Sequence, residues 1–342
     1  MDENGYRVGV VGAGMVGQLL VAVLEERRFP LAELRIMATS ARSQTIAGKQ
    51  REVIEASPEA FEGLDIALFA GTEGEKGASR LYGWEAVEKG VFVVDNGNDF
   101  RMDERVPLVV PEVNADALKR HQGFVGNPNC STIQMVAALA PLHRRARIRR
   151  IVVTTFQSVS GTGGAAVTEL ERQVRDMPAG KPANPESYPY QIFANVIPQI
   201  GGFQDDVPGY TSEEVKMLRE TRKILDAPNI RVSATCVRVP VAYAHAEAIN
   251  VEFEEALSAD EARDILSAAP GLAVIDEPEK NGYPVPLDCE GRDEVFVGRI
   301  RDDASRPNCL DLWCVADNIR KGAATNAVQI AEKMIEMGLI GA

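Results

Sequence analysis

YRVGVVGAGMVGQLLVAVLEERR, residues 6–28, reads as a strand, a glycine turn and a helix in direct succession. Residues 6–11 are a run of strand length, apolar but for Arg7, GAGMVG at 12–17 matches G-x-G-x-x-G, and QLLVAVLEERR continues with helical character. Glycines at 12, 14 and 17 permit a tight turn and let backbone N–H groups approach a pyrophosphate at the helix N-terminus. The stretch therefore predicts a dinucleotide-binding βαβ unit, with Met15 and Val16 inside its turn.

The segments that follow extend the same unit. LRIMAT (34–39), LDIALFAG (64–71) and VFVVDNG (91–97) read as further strands, and LYGWEAVEKG (81–90) as a helix between two of them. This alternation predicts an α/β, Rossmann-like domain with a doubly wound parallel sheet and ligands at the strands' C-terminal ends. An NAD-preferring site places Asp or Glu at the end of its second strand, yet no acid lies between Met37 and Lys49. Arg42, with Ser40 and Ser43, suits a 2′-phosphate instead, which points to NADP. The competing reading of Arg42 is an ordinary surface arginine after a turn.

Beyond residue 130 the pattern changes. IRRIVVTTFQSVSG (148–161), IRVSATCVRVPV (230–241) and AEAINVEFEE (246–255) read as longer strands of an antiparallel sheet, faced by helices at AAVTELERQVRDM and SEEVKMLRETRKIL. A loop rich in proline and asparagine, PAGKPANPESYPY (178–190), lies between them, and residues 316–339 read as a final helix packing on the first domain. The expected division is residues 1–129 with 317–342 as the dinucleotide-binding domain, and 130–316 as an α+β domain.

Composition narrows the function. The chain has 342 residues, 50 acidic against 37 basic side chains and a net charge of −13, which argues against a broad nucleic-acid footprint. No apolar run approaches the ~20 residues that span a bilayer. The acidic start MDENGYRVGVVGAG does not read as a secretory signal. Five cysteines without a C-x-x-C pair suggest reduced thiols in a cytoplasm, and no His/Cys/Asp/Glu spacing suggests a metal site.

Chemistry concentrates at a few residues. Cys130, in GNPNCST (126–132), directly precedes the helix-forming run IQMVAALAPL (133–142). A thiol at a helix N-terminus faces unpaired N–H groups and the positive end of the dipole, which favour the thiolate. The competing reading is a small buried residue. His245 follows VRVPV through the short turn AYA, a position open to two readings, a group projecting from a strand end into a cleft or a structural histidine. With Cys130 it would supply the nucleophile and proton-moving group of a thiol enzyme. His121 and His143 read as surface residues. Arg238, inside an apolar strand, needs an anionic partner, either a carboxylate or a ligand. Glu213 and Lys216, three apart, share a helix face and by themselves read as a solvated intrahelical pair.

Taken together, GAGMVG, ATSARS, VVDNGNDFRM, PLVVPEVN, GNPNCST, FQSVSGTG, EEVKMLRETRKI, RVPVAYAH and DNIRKGAATNAVQIAE resemble the aspartate-semialdehyde dehydrogenase family over nearly the whole chain. The resemblance implies an NADPH-dependent reduction of L-aspartyl-4-phosphate to L-aspartate-4-semialdehyde and phosphate, in the biosynthesis of lysine, threonine and methionine. It implies Cys130 as the nucleophile that forms a thioester, Gln157 as the group orienting it and His245 as general acid/base. Arg238 and Glu213 match the groups for the substrate's α-carboxylate and amine, and Arg101, Asn129 and Lys216 the phosphate site. The glycine loop, Arg42, Ser43, Ser160, Gly161 and Asn318 match cofactor contacts, and the second domain becomes a catalytic and dimerisation domain of a homodimer or homotetramer. Two departures stand out: the glycine turn is one residue shorter than the family's usual one, and Gly97 and Asn98 replace its usual pair of serines. Rival readings are a reductase of malonyl-CoA or N-acetylglutamyl phosphate on the same scaffold, and a non-catalytic paralogue.

Overall fold

The apolar run near the N-terminus becomes β1 (Tyr6–Val11), an inner strand whose Val8, Val10 and Val11 are shut off from solvent. The structure is a computed structural model describing residues 5–71 and 74–340. The chain divides into two compact units, Met1–Asn129 with Ala323–Ala342, and Cys130–Gly322.

In the first unit β1 leads into α1 (Met15–Glu26) and β2 (Leu31–Ala38). Next come β3 (Arg42–Ile46), β4 (Lys49–Glu55), β5 (Ile66–Phe69), α2 (Trp84–Glu88), β6 (Phe92–Asp95), α3 (Pro111–Asn114) and β7 (Phe124–Gly126). The sheet order is β3-β4-β2-β1-β5-β6-β7. All pairings are parallel except β3 with β4, which is an antiparallel hairpin. The expected parallel sheet runs from β4 through β2, β1, β5 and β6 to β7, and β3 adds an antiparallel edge strand. The cause is local: Ala47 and Gly48 both take positive φ, 51° and 71°, the two-residue turn that folds a strand back on itself.

The second unit opens with α4 (Cys130–Ala146) and β8 (Ile148–Gln157), then α5 (Gly164–Asp176), α6 (Ser212–Ile224), β9 (Arg231–Arg238) and β10 (His245–Phe253). It continues with α7 (Ala259–Ser267), β11 (Leu272–Val274), α8 (Pro286–Cys289), β12 (Val295–Asp302) and β13 (Cys309–Ala316). The order is β11-β12-β13-β10-β8-β9. β8 pairs with β9, and β11 with β12, in parallel, so this sheet too is mixed where an antiparallel one was expected. The long connection through α5 and α6 carries the chain back to start β9 in the same direction as β8. α4 lies against β8, β10, β12 and β13, burying almost its whole apolar surface in the unit's core.

The closing stretch is not one helix over 316–339. β13 runs through Ala316, and the regular helix α9 spans only Thr325–Glu336. α9 belongs to the first unit, where Ala327, Val328, Ile330, Ala331 and Met334 share a core with Leu20, Val21, Val23 and Leu24 of α1. No helix among the described residues is long and apolar enough to cross a membrane.

Candidate active site

Cys130 is the first residue of α4 and is half-buried, and none of the five cysteines is in a disulfide. Cys236, Cys289, Cys309 and Cys314 are buried, and burial pushes their thiols up, Cys289 to about 12. A buried thiol held protonated is inert, so Cys130, at the positive end of a helix, is the reactive candidate. Gly322 packs directly on it. A Cβ at Gly322 would stand 2.8 Å from the Cβ of Cys130, so a side chain there would displace the thiol's residue.

Around the ends of β8, β9 and β10 the same unit assembles a buried polar network. Gln157 ends β8, Arg238 ends β9 in register with it, and His245 begins β10 after a turn in which Ala244 has φ 66°. Gln157 Nε2 donates to Glu213 Oε1 at 3.1 Å and lies 3.4 Å from His245 Nε2, while its Oε1 accepts from Thr155 Oγ1 at 3.0 Å. His245 is fully buried, and its Nδ1 accepts the backbone N–H of Ser158 at 3.0 Å. A backbone amide can only donate, so the neutral ring carries its proton on Nε2. Burial first, then the nearby Arg238 charge, pull the imidazole down to about 3 against the opposing pull of Glu213. The ring is neutral at physiological pH.

Asn318 anchors this arrangement. Its Oδ1 accepts from Ser158 Oγ at 2.9 Å, from Ser160 Oγ at 3.1 Å and from the backbone N–H of Ala244 at 3.1 Å. Gly161 leaves space beside the ring: a Cβ there would lie 3.2 Å from His245 Cε1, 3.3 Å from its Nε2 and 3.2 Å from Arg238 Nη1. Arg238 is buried, donates from Nη1 to the Ser158 carbonyl at 2.6 Å, and keeps a buried Nε without a hydrogen-bond partner among the described residues. Its guanidinium lies 5.9 Å from the Tyr188 ring centroid. Glu213 enters from the first turn of α6, whose start is fixed by a capping box between Thr211 and Glu214, and Lys216 Nζ lies 3.3 Å from its Oε2. Gln157, Glu213, Lys216, Arg238, His245, Ser160, Gly161 and Asn318 are therefore one connected cluster.

The remaining candidates lie in the first unit. Arg101 is buried and donates to the Asn96 carbonyl at 2.7 Å, and Asn129 is a buried residue immediately before Cys130. In the glycine loop the three glycines answer different demands. Gly12 has φ 108°, and a Cβ on Gly17 would fall 1.7 Å from the Gly12 carbonyl oxygen. Gly14 caps α1, and a Cβ there would meet nothing within 4 Å. The protein's own packing does not require that glycine, whereas close approach by a pyrophosphate to the helix N-terminus does. The loop thus fits a dinucleotide, with Met15 and Val16 half-exposed in the first turn and no acidic residue there to repel phosphate.

Ser40, Arg42 and Ser43 are exposed at the start of the hairpin, where Arg42 Nε donates to Gln44 Oε1 at 2.9 Å and Nη1 to the Ser40 carbonyl at 3.1 Å. Gln44 in turn donates to the Ala13 carbonyl at 3.1 Å, tying the hairpin to the glycine loop. Gly97, one of the departures, has a local reason. Its N–H donates to Asp95 Oδ1 at 2.8 Å, and a Cβ would crowd that same oxygen at 3.0 Å.

Three participants were missed in the sequence. They are Ser158, Gln44 and Tyr188, and no local pattern singles out any of them. The surface reading of His121 and His143 is corrected. Both are half-buried, each accepts a backbone N–H at Nδ1, from Gly123 and Ile148, and burial lowers both pKa values.

Known proteins give an independent comparison. Residues 7–121 match the semialdehyde dehydrogenase NAD binding domain, and residues 139–321 the semialdehyde dehydrogenase dimerisation domain. The chain is 50% identical to the aspartate-semialdehyde dehydrogenase of Aquifex aeolicus (strain VF5), covering 98% of this chain and 100% of that one. It is 44% identical to that of Bacillus subtilis (strain 168), covering 98% and 99%. The crystal structure of aspartate semialdehyde dehydrogenase II complexed with ASA from Vibrio cholerae superposes with a TM-score of 0.91 at 42% identity, covering 97% of this chain and 98% of that one.

Proposed function

The chain belongs to the aspartate-semialdehyde dehydrogenase family, and on that premise we propose that it converts L-aspartyl-4-phosphate to L-aspartate-4-semialdehyde and phosphate with NADPH, reversibly, through a thioester on Cys130. The observation that carries this reading is a thiol at the start of α4 in the same unit as the buried Gln157–Glu213–His245–Arg238 cluster. A binding module needs no such set.

The dinucleotide, when bound along Gly12–Gly17, supplies or takes up a hydride. Everything else falls to the chain's own residues. Cys130 Sγ attacks the acyl carbon as thiolate, the C–O bond to phosphate breaks, and phosphate leaves with the electron pair. Arg101, Asn129 and Lys216 hold its charge. Arg238, with a buried N–H to offer, takes the α-carboxylate, and Glu213 takes the ammonium group. Gln157, fixed at both ends of its amide, orients the acyl group. His245, neutral with its proton on Nε2, donates toward the oxygen that gains charge in the tetrahedral adducts. We read the acid/base role implied by the family as donation from that atom.

NADP fits Arg42 and the absence of an acid at the end of β2, with Ser40, Ser43, Ser160, Gly161 and Asn318 completing the cofactor contacts. A homodimer, or a dimer of two such dimers, fits the dimerisation-domain match and the exposed Val174, Tyr190, Val196 and Phe203. The setting is cytoplasmic biosynthesis of lysine, threonine and methionine.

The test is the reverse reaction. Purified protein with L-aspartate-4-semialdehyde, NADP and phosphate should form NADPH continuously, and without phosphate or arsenate should form no more than about one equivalent per site. No NADPH from folded, NADP-binding protein, with turnover of malonyl-CoA or N-acetylglutamyl phosphate instead, would replace this substrate by the rival.

A further inference from the structure

α4 and β10 pack against each other and carry Cys130 and His245 at their first residues. One helical turn beyond Cys130, on the same face, is Gln134. Two residues beyond His245, on the same face of the strand, is Glu247. Neither has any function in the chemistry above. Both are sealed from solvent, Gln134 at 1% exposure and Glu247 at 0%.

The surroundings of Glu247 are weakly polar. Its register partners are Thr155 on β8 and Cys314 on β13, and the Cys314 thiol lies 3.7 Å from the Gln134 backbone carbonyl. Burial opposes ionisation of Glu247, and the Gln134 side chain is the group that favours the charged form. None of the four side-chain polar atoms of Gln134 and Glu247 completes a hydrogen bond with a described residue.

The donor and acceptor count decides how this pair can be satisfied. A carboxylate only accepts, so it would take the Gln134 N–H and leave Gln134 Oε1 without a donor. A neutral acid both donates and accepts: its O–H meets Gln134 Oε1 while its carbonyl meets Gln134 Nε2. Closing that ring leaves no buried charge.

We propose that Glu247 is a neutral carboxylic acid paired reciprocally with Gln134, and that this pair is a brace between α4 and β10 that sets Cys130 relative to His245. The proposal rests on the catalytic reading above only for what Cys130 and His245 do. Glu247 is a positioning residue and touches no reacting atom.

The experiment compares Glu247→Gln, Glu247→Leu and the double variant Glu247→Leu/Gln134→Leu. Glu247→Gln replaces the acid by an amide that also donates and accepts. It should keep kcat, KM and the pH–rate profile within about twofold, because the reciprocal pair survives. The infrared band of a protonated carboxyl, present in the unsubstituted enzyme at neutral pH, should vanish in this variant.

Glu247→Leu leaves Gln134 stranded, and the double variant removes both polar partners so that folding is recovered. Both should lose roughly ten- to a hundredfold in kcat, the scale of a small misplacement of reacting groups, with KM and NADP binding unchanged. Alkylation of Cys130 by iodoacetamide, corrected with Cys130→Ala, reads the thiol's setting without turnover and should change in the same two variants only. Three results overturn the proposal: no protonated-carboxyl band assigned to Glu247, Glu247→Gln losing as much kcat as Glu247→Leu, or a folded double variant with undiminished kcat. Altered alkylation together with undiminished turnover in Cys130→Ala would leave the brace standing and remove the catalytic reading.

Discussion

Ser158 donates its backbone N–H to Nδ1 of His245 across 3.0 Å, and that one bond determines which ring nitrogen holds the proton. The hydroxyl of Ser158 lies equally close to Nδ1 but gives its one proton to Asn318 Oδ1 at 2.9 Å, so the backbone N–H is the Ser158 group that holds the ring. A proton on Nδ1 would point at the Ser158 N–H, which is a second reason, beside burial, for a neutral ring.

A neutral donor predicts a particular pattern of substitution and pH. His245→Gln, which keeps an N–H, should retain more kcat than His245→Ala, which should lose about 10²–10³-fold, as when an oxyanion donor is removed. The folded pKa, about 3, lies below the ordinary 6.5, so the native state binds fewer protons than the unfolded chain between those values. Stability attributable to His245 is therefore full above pH 6.5 and falls as pH drops toward 3. Urea unfolding across that range should show a shallower acid decline in His245→Gln. A step in kcat near pH 6.5 that His245→Gln abolishes would contradict the neutral ring.

Asn318→Ala removes one oxygen that accepts from three buried or backbone donors. Leaving buried donors unsatisfied costs about 1–3 kcal/mol, visible as a lower urea midpoint at unchanged slope. A change below about 0.5 kcal/mol would mean that the serine hydroxyls find other acceptors.

The glycine loop separates folding from binding. Gly17→Ala places a methyl 1.7 Å from the Gly12 carbonyl oxygen and should yield little folded protein. Gly14→Ala meets nothing within 4 Å and should keep stability within about 1 kcal/mol while weakening NADP binding, followed by calorimetry. Unchanged NADP affinity in Gly14→Ala would show that the pyrophosphate does not approach there.

Arg42→Ala should raise the KM for NADPH at least about tenfold, roughly 1.4 kcal/mol of binding, and leave that for NADH nearly unchanged. Equal effects on both cofactors would remove the 2′-phosphate from its role.

How far the sequence disclosed this site follows from the range of its interactions. The glycine turn and the start of α4 were legible because each signal lies within one strand–turn–helix or one helix start, as at Gly12–Gly17 and Cys130–Thr132. Arg238 was legible as a charge out of place in an apolar strand, and it is buried there with an Nε that has no hydrogen-bond partner among the described residues. The β3–β4 hairpin was hidden because Ala47–Gly48 is a weak turn signal beside Asn-Gly, and the glycine loop drew attention to Arg42 as a ligand group rather than a strand start. Ser158 and Gln134 gain meaning only from partners 87 and more than a hundred residues away in sequence, at His245 and Glu247. No local pattern reports such pairings.

The central claim is that Cys130 carries the acyl group. Protein mixed with L-aspartate-4-semialdehyde and NADP in the absence of phosphate, then acid-quenched and digested, should yield an aspartyl thioester on the peptide containing Cys130, and added phosphate should discharge it. An enzyme that turns over normally yet gives no adduct, or one that carries the adduct on another residue, would contradict the account.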